Sequence, residues 1–186
     1  MRRTSAAAVF FSLLGTLAAG LQDNSVADIQ AHYASVQAAI QRSVKGRGEG
    51  DPGLYSNEVV VNSHKGPWRA VGNFLKKITF WYEDQPDFAV YENRTKESVL
   101  LKIEVSRSSA IFTDYEESLF ERGTLVFHFS RRTTEGGGPA EEKRFYFKGG
   151  KLVRYMEGAT IVAAFPDPGS IFRQAEEYQK LFLAMF

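Results

Sequence analysis

The feature that most constrains the fold is an alternation of apolar and polar side chains, repeated in several segments between residues 57 and 163. A period of two places successive side chains on opposite faces of a β-strand. Each such segment therefore predicts an antiparallel strand with one face on a core and the other toward water. The apolar sets are Ile78, Phe80 and Tyr82; Val99, Leu101, Ile103 and Val105; Leu125, Phe127 and Phe129; and Phe145 and Phe147.

Helical periodicity flanks this strand-rich region on both sides. Residues 26–42 carry apolar side chains at intervals of three and four, which predicts an N-terminal helix with one apolar face. Near the other end, Asp167 and Pro168 favour a helix start, and a second apolar stripe follows them. The two stripes consist of Ile29, Tyr33, Val36 and Ile40, and of Ile171, Ala175, Tyr178, Phe182 and Met185.

The order helix, strands, helix predicts an α+β fold. Strands adjacent in sequence usually pair, so we expect an antiparallel β-meander of about six to seven strands in one curved sheet. A one-sided sheet offers an apolar surface to a helix, so the C-terminal helix is expected to pack on it. Residues 21–186 then form a single α+β domain, with a flexible, glycine-rich loop at residues 45–53.

One predicted hairpin turns at Gly149 and Gly150 and admits two registers. A two-residue loop is the favoured short turn, and it sets Phe145 opposite Arg154. A three-residue loop with a bulge sets Phe145 opposite Val153 and gathers the apolar side chains on one face. Because a slip of one residue exchanges the faces, burial should select the register, and we expect the bulged loop.

The start of the chain has the three-part pattern of an export signal. Arg2 and Arg3 form a short positive region, and residues 6–17 are largely apolar. Ala18 and Gly20 suit the positions that signal peptidase recognises, so cleavage is expected after Gly20. The apolar run is shorter than the roughly 20 residues that span a bilayer, so we expect no integral membrane segment after cleavage. An uncleaved N-terminal anchor is the alternative.

We therefore predict that residues 1–20 are a signal peptide and that the mature protein is periplasmic or secreted. The chain has no cysteine, whereas exported eukaryotic domains often carry disulfides, so a bacterial envelope protein is favoured. Of the 23 basic and 22 acidic side chains, cleavage removes two arginines and no acid, which leaves a net charge of −1. This near-neutral balance predicts no nucleic-acid partner.

His32, His64 and His128 are the first candidates for metal or acid–base chemistry. No two of them have the spacing of a ligand pair, so we predict scattered surface or capping histidines, with His128 on the polar side of its strand. We predict no metal site, no cofactor and no assembled catalytic residues. A hydrolase that combines a histidine with the acidic cluster at residues 83–87 is the alternative.

Aromatic side chains outside the core pattern are the best candidates for a binding site. Trp81 and Tyr146 fall opposite the apolar set of their strands, and Trp68 lies in a turn. Aromatic residues on the open face of a sheet can form a binding platform, to which Arg144 can add a polar contact. We predict these four as ligand-binding residues of a non-enzymatic module for a protein, a peptide or a small apolar ligand. Alternatively, the aromatic residues lie beneath a loop or a terminal helix.

The last six residues, 181–186, are almost wholly apolar. We expect them to dock on the sheet. The alternative is an assembly surface in a structural protein of the envelope. The sequence leaves the oligomeric state open.

Overall fold

The computed structural model describes residues 24–46, 53–69, 72–134, 136 and 138–186. The predicted signal peptide and most of the predicted loop at residues 45–53 lie outside these ranges. Within them, no helix is long and apolar enough to cross a membrane. The helices are α1 (Asn24–Lys45), α2 (Pro86–Tyr91) and α3 (Gly169–Leu183), with a 3₁₀ turn at Lys96–Val99.

The main sheet is an antiparallel meander in chain order. Its strands are β1 (Tyr55–Val61), β4 (Leu75–Tyr82), β5 (Leu100–Ser108), β6 (Phe112–Glu121), β7 (Thr124–Thr134), β8 (Glu141–Lys148), β9 (Lys151–Glu157) and β10 (Thr160–Ile161). They lie in the order β1-β4-β5-β6-β7-β8-β9-β10, and a small hairpin of β2 (Pro67–Trp68) and β3 (Gly72–Asn73) lies between β1 and β4 in the chain. The predicted α+β fold is confirmed, with eight strands in the sheet rather than six or seven.

Helices cover both faces of this sheet. On the α3 face, Ile78 and Phe80 pack in one cluster with Phe182 of α3. On the α1 face, Val36 of α1 packs in a second cluster with Phe127 of β7. The expectation that one face is open to water is therefore wrong, because the apolar stripe of α1 needs a surface as much as that of α3 does.

The alternation predicted for β5 is interrupted at its start. Leu100, Ile103 and Val105 belong to the α3-face cluster, whereas Leu101 packs on the α1 face. The cause is a register shift, because Trp81 pairs with Lys102 and the next residue of β4 pairs with Leu100. A bulge of this kind leaves one residue unpaired and changes which face the following side chains occupy.

The β8–β9 hairpin uses neither of the two registers considered from the sequence. Gly149 and Gly150 both have positive φ angles, at 56° and 72°, which fits a two-residue turn. A bulge then follows within the strands, so that Phe145 pairs with Tyr155. The expected three-residue loop is therefore wrong, because the bulge lies within the strands and not in the turn. The bulge places Phe145 and Tyr155 on the same face, in the α3-face cluster.

Helix α3 begins one residue later than predicted. Pro168 occupies the position before the helix, and the backbone N–H of Gly169 donates to Asp167 Oδ1 at 2.9 Å. At the other end, Phe182 is 0 % exposed and its ring centre lies 5.2 Å from that of Tyr82. The apolar C-terminal segment thus docks on the sheet, as expected.

Candidate binding site

A pocket of about 530 Å³ opens where the end of α1 meets the first residues of β1 and the last residues of β4. Its walls combine three aromatic side chains with three small polar ones. The aromatic residues are Tyr55, Trp81 and Tyr82, and the polar residues are Ser43, Ser56 and Asn57. The pocket is open to solvent, and its accessible surface is more polar than apolar, so a ligand can contact it through hydrogen bonds as well as through aromatic rings.

Pairing between β1 and β4 builds one wall of the pocket. Tyr55 is opposite Tyr82, and their rings stack with centres 5.7 Å apart. The hydroxyl of Tyr82 donates to Asn57 Oδ1 at 3.1 Å, which fixes both side chains. The wall is therefore held in place by contacts within the protein, before any ligand is present.

Ser43 joins α1 to the start of β1. Its hydroxyl donates to the carbonyl of Ala39 at 3.0 Å and accepts from the backbone N–H of Leu54 at 2.6 Å. Leu54 is buried and packs in the α1-face cluster. These contacts hold the helix end against the sheet edge, and so they set the width of the pocket.

Trp81 lines the pocket and also packs against the α1-face cluster. Its Nε1–H donates to Glu104 Oε2 at 3.3 Å. Glu104 Oε1 in turn accepts from the Nζ of Lys102 at 2.8 Å. The indole orientation is thus coupled to a buried charge network.

That network is centred on Lys102, whose side chain is 0 % exposed. Its Nζ also lies 3.2 Å from Glu117 Oε2 and 5.2 Å from the centre of the Tyr33 ring. The hydroxyls of Tyr33 and Tyr115 donate to the two oxygens of Glu117 at 2.7 and 2.6 Å. Every charged group in the network therefore has hydrogen-bonded partners, as burial requires.

Burial and the Glu117 carboxylate raise the pKa values of Tyr33 and Tyr115 far above the ordinary range of tyrosine. Both phenols therefore stay protonated and act as hydrogen-bond donors. The sequence analysis missed this network because it assigned the polar face of these strands to water. The available signal was a pair of acids, Glu104 and Glu117, directly opposite each other on neighbouring strands, with Lys102 two residues before Glu104.

His128 is buried on the α3 face, contrary to the prediction that it lies on a polar side of its strand. It is 4 % exposed, and its Nδ1 lies 3.1 Å from Ser118 Oγ. Burial, and secondly the charge of Arg107, lower the pKa of His128 to about 4, so the ring is neutral at pH 7. The expectation fails because α3 covers this face.

In the described part of the chain, neither of the other two histidines forms a hydrogen bond or an ion pair with the acidic cluster at residues 83–87. His32 Nε2 lies 2.9 Å from the carbonyl of Phe120, and His64 is exposed. Within the cluster, Glu83 pairs with Arg94 and Asp87 with Lys96 on the surface. Across the described ranges, no group of three or more His, Asp or Glu side chains could hold a metal ion.

Of the four binding residues predicted from the sequence, only Trp81 lines the pocket. Tyr146 is 3 % exposed beneath α1, with its ring centre 5.0 Å from that of Phe127. Arg144 donates to the carbonyl of Gly158 at 2.6 Å and lies over the Phe129 ring. Trp68 is exposed on the small hairpin, against Phe74. Their role in ligand binding stays a prediction.

Exposed apolar side chains lie at the same end of the sheet as the pocket. Helix α2 follows β4 directly and exposes Phe88, Val90 and Tyr91. Phe186 is also exposed, and its ring centre lies 5.5 Å from that of Tyr82. Apolar surface concentrated near a pocket is typical of an interaction site.

The position of the pocket could not be predicted from the sequence alone. It depends on the contact between the end of α1 and the sheet edge, and no local pattern encodes that contact. Only the occurrence of Trp81 opposite the apolar set of β4 pointed toward it. The chain matches no family model, and no curated protein or solved structure is significantly similar to it.

Proposed function

We propose that this protein is an exported, non-enzymatic binding module of the bacterial envelope, and that the pocket between α1 and β4 is its binding site. The observation that carries the proposal is the preorganised aromatic wall, in which Tyr82 is fixed by Asn57 and stacked on Tyr55. A volume of about 530 Å³ is within the range of ligand pockets.

The ligand is a protein, a peptide or a small apolar molecule. The pocket is lined by three aromatic, three small polar and two aliphatic side chains. None of them is charged, so the pocket favours an uncharged group of the ligand. The export signal at residues 1–20 and the lack of cysteine favour the periplasm or secretion as the location. The near-neutral charge of the mature chain disfavours nucleic acid as a partner.

The test is native mass spectrometry on the full chain, expressed in its source cells and purified from their envelope. Ser56 is exposed and lines the pocket, so Ser56→Phe fills the pocket without removing a core contact. Ser63→Phe is the matched control, because Ser63 is exposed in the turn after β1. We expect a bound mass that denaturation releases, that Ser56→Phe reduces about tenfold and that Ser63→Phe retains.

Two outcomes would contradict the proposal. One is a bound mass that Ser56→Phe retains at the wild-type level, since the ligand would then occupy another surface. The other is no bound mass in the wild-type protein, together with no protein crosslinked to a photoreactive group placed at Ser56.

A further inference from the structure

We propose that the pocket receives a side chain of an extended polypeptide, which pairs with β1 as an additional strand of the sheet. This inference rests on the proposed binding function and names the ligand class for the same site. Strand addition to a sheet edge is a common mode of peptide recognition, in which backbone hydrogen bonds supply affinity and pockets supply specificity.

The first step of the argument is the position of β1 at the end of the sheet. Its residues pair with β4 on one side, from Tyr55 opposite Tyr82 to Val61 opposite Lys76. For residues 56–61, no described residue pairs with the outer side. Alternate residues of an edge strand point their backbone N–H and C=O groups away from the sheet, where another extended backbone can replace water as their hydrogen-bond partner.

The second step is that β1 lacks the devices that usually protect an edge. Its sequence Tyr-Ser-Asn-Glu-Val-Val-Val contains no proline and no lysine, and its register with β4 has no bulge. Its one charge, Glu58, pairs with Lys77 of the neighbouring strand. The opposite edge is protected differently, because β10 is two residues long and a turn precedes it. Proteins normally protect long sheet edges, so an edge with no described pairing over residues 56–61 indicates a binding role for β1.

The third step is the continuity between this edge and the pocket. Ser56 and Asn57 belong to both, so a strand laid along residues 56–61 passes the pocket mouth at one end. At the other end, Val60 is 45 % exposed, and Val59 packs at the rim of the α3-face cluster. The incoming strand therefore meets apolar side chains near Val59 and Val60 and an aromatic pocket near Ser56.

These features define the occupant as a segment of a partner protein. It is extended, with apolar side chains opposite Val59 and Val60 and a large uncharged side chain that enters the pocket. Because Lys77 already pairs with Glu58, β1 does not select for a charge at its centre. About six paired residues correspond to a contact roughly 20 Å long.

The test uses random peptides of about 12 residues, displayed on phage and selected on the immobilised full-length protein, since this length exceeds the edge. Val60→Lys places a charge on the exposed side of β1 and blunts the edge. Val60→Thr is the matched control, because threonine keeps the β-branched shape. We expect selected peptides to bind Val60→Lys at least about tenfold more weakly than the wild type, and Val60→Thr within about twofold. Bound peptides should also slow the hydrogen exchange of backbone amides in residues 56–61 of the wild-type protein, because those amides would donate to the peptide.

Each other outcome overturns strand addition. If no peptide is enriched, or if the selected peptides bind Val60→Lys as tightly as the wild type, β1 is not the docking strand. A wild-type dimer that Val60→Lys dissociates, with no enriched peptide, assigns the edge to a second copy of the chain. Binding lost in Ser56→Phe but kept in Val60→Lys retains the pocket and rejects the strand. Binding kept in both variants rejects both the strand and the pocket as the peptide site, and the mass-spectrometry result with Ser56→Phe then decides the proposed function separately.

Discussion

Lys102 buries a full positive charge where the sequence pattern predicts a solvated side chain. The charge is compensated by Glu104 and Glu117, and the second carboxylate is held by Tyr33 and Tyr115. Removing one partner of a buried ion pair leaves the other charge without compensation in a medium of low dielectric constant. The cost of a substitution therefore depends on which groups are left behind.

Lys102→Met should lower the free energy of unfolding by about 3–5 kcal/mol, because two carboxylates lose their cation beneath α1. Glu117→Gln removes one of those carboxylates at nearly constant shape. The double variant should then be more stable than the sum of the single effects predicts, by at least about 1 kcal/mol. Urea unfolding of the four proteins measures this coupling. Strictly additive effects would show that Lys102 and Glu117 do not interact.

His128 should make folding pH-dependent between pH 6.5 and pH 4. Its pKa in the folded protein is lowered to about 4, so the unfolded chain binds a proton first as the pH falls. Stability is therefore complete above pH 6.5, declines below it and levels off below pH 4. The loss at pH 4 should be about 3 kcal/mol, because the pKa of His128 falls from about 6.5 in the unfolded chain to about 4 in the folded protein.

The contribution of His128 is measured by comparing urea unfolding of the wild type and His128→Gln between pH 7.5 and pH 4. Glutamine stays neutral and can still bond Ser118, so this variant should lose less stability on acidification. His64→Gln, at an exposed position, should follow the wild type. Parallel curves for the wild type and His128→Gln would rule out His128 as the titrating group.

At the scale of elements, α3 shows how a terminal helix becomes part of the core. Phe182 contacts the rings of Phe80 and Tyr82, with centres 5.8 and 5.2 Å away. Phe186, four residues later, is half exposed. The sequence predicted an apolar segment at 181–186 but could not distinguish a docked end from an assembly surface, because both need the same composition.

Phe182→Ala should destabilise the protein by about 3–5 kcal/mol, because it leaves a large cavity beneath the sheet. Phe186→Ala, in the same segment, should cost less than about 1.5 kcal/mol, since its ring keeps access to water. Thermal unfolding and size-exclusion chromatography of both variants test this difference. Equal and small effects on stability, with a changed elution volume, would identify the segment as an assembly surface instead.

At the scale of the whole molecule, local patterns predicted the elements but not what covers them. The alternation that includes Ile78 and Phe80, and the apolar stripe of α1, can be recognised within short segments of the sequence. The α+β meander could therefore be predicted from them. That both faces are covered did not follow, since Lys102 and Thr79 read as solvent-facing residues while α1 lies above that face. The pocket at Trp81 and the edge at β1 depend on which strand is last in the sheet, and no single segment carries that information.

The chain-order meander also has a consequence for folding kinetics. From β5 to β10, each strand is joined to the next by a short connection, so this part of the sheet can grow hairpin by hairpin at a small loop-closure entropy. The contacts that span long stretches of sequence come chiefly from the terminal helices, as between His32 and Phe120, 88 residues apart. Helix α1 precedes the strands in the chain, yet it cannot reach its docking surface until the strands that form this surface have been made. We therefore expect the slow, entropy-limited step of folding to be the docking of α1 on the assembled sheet.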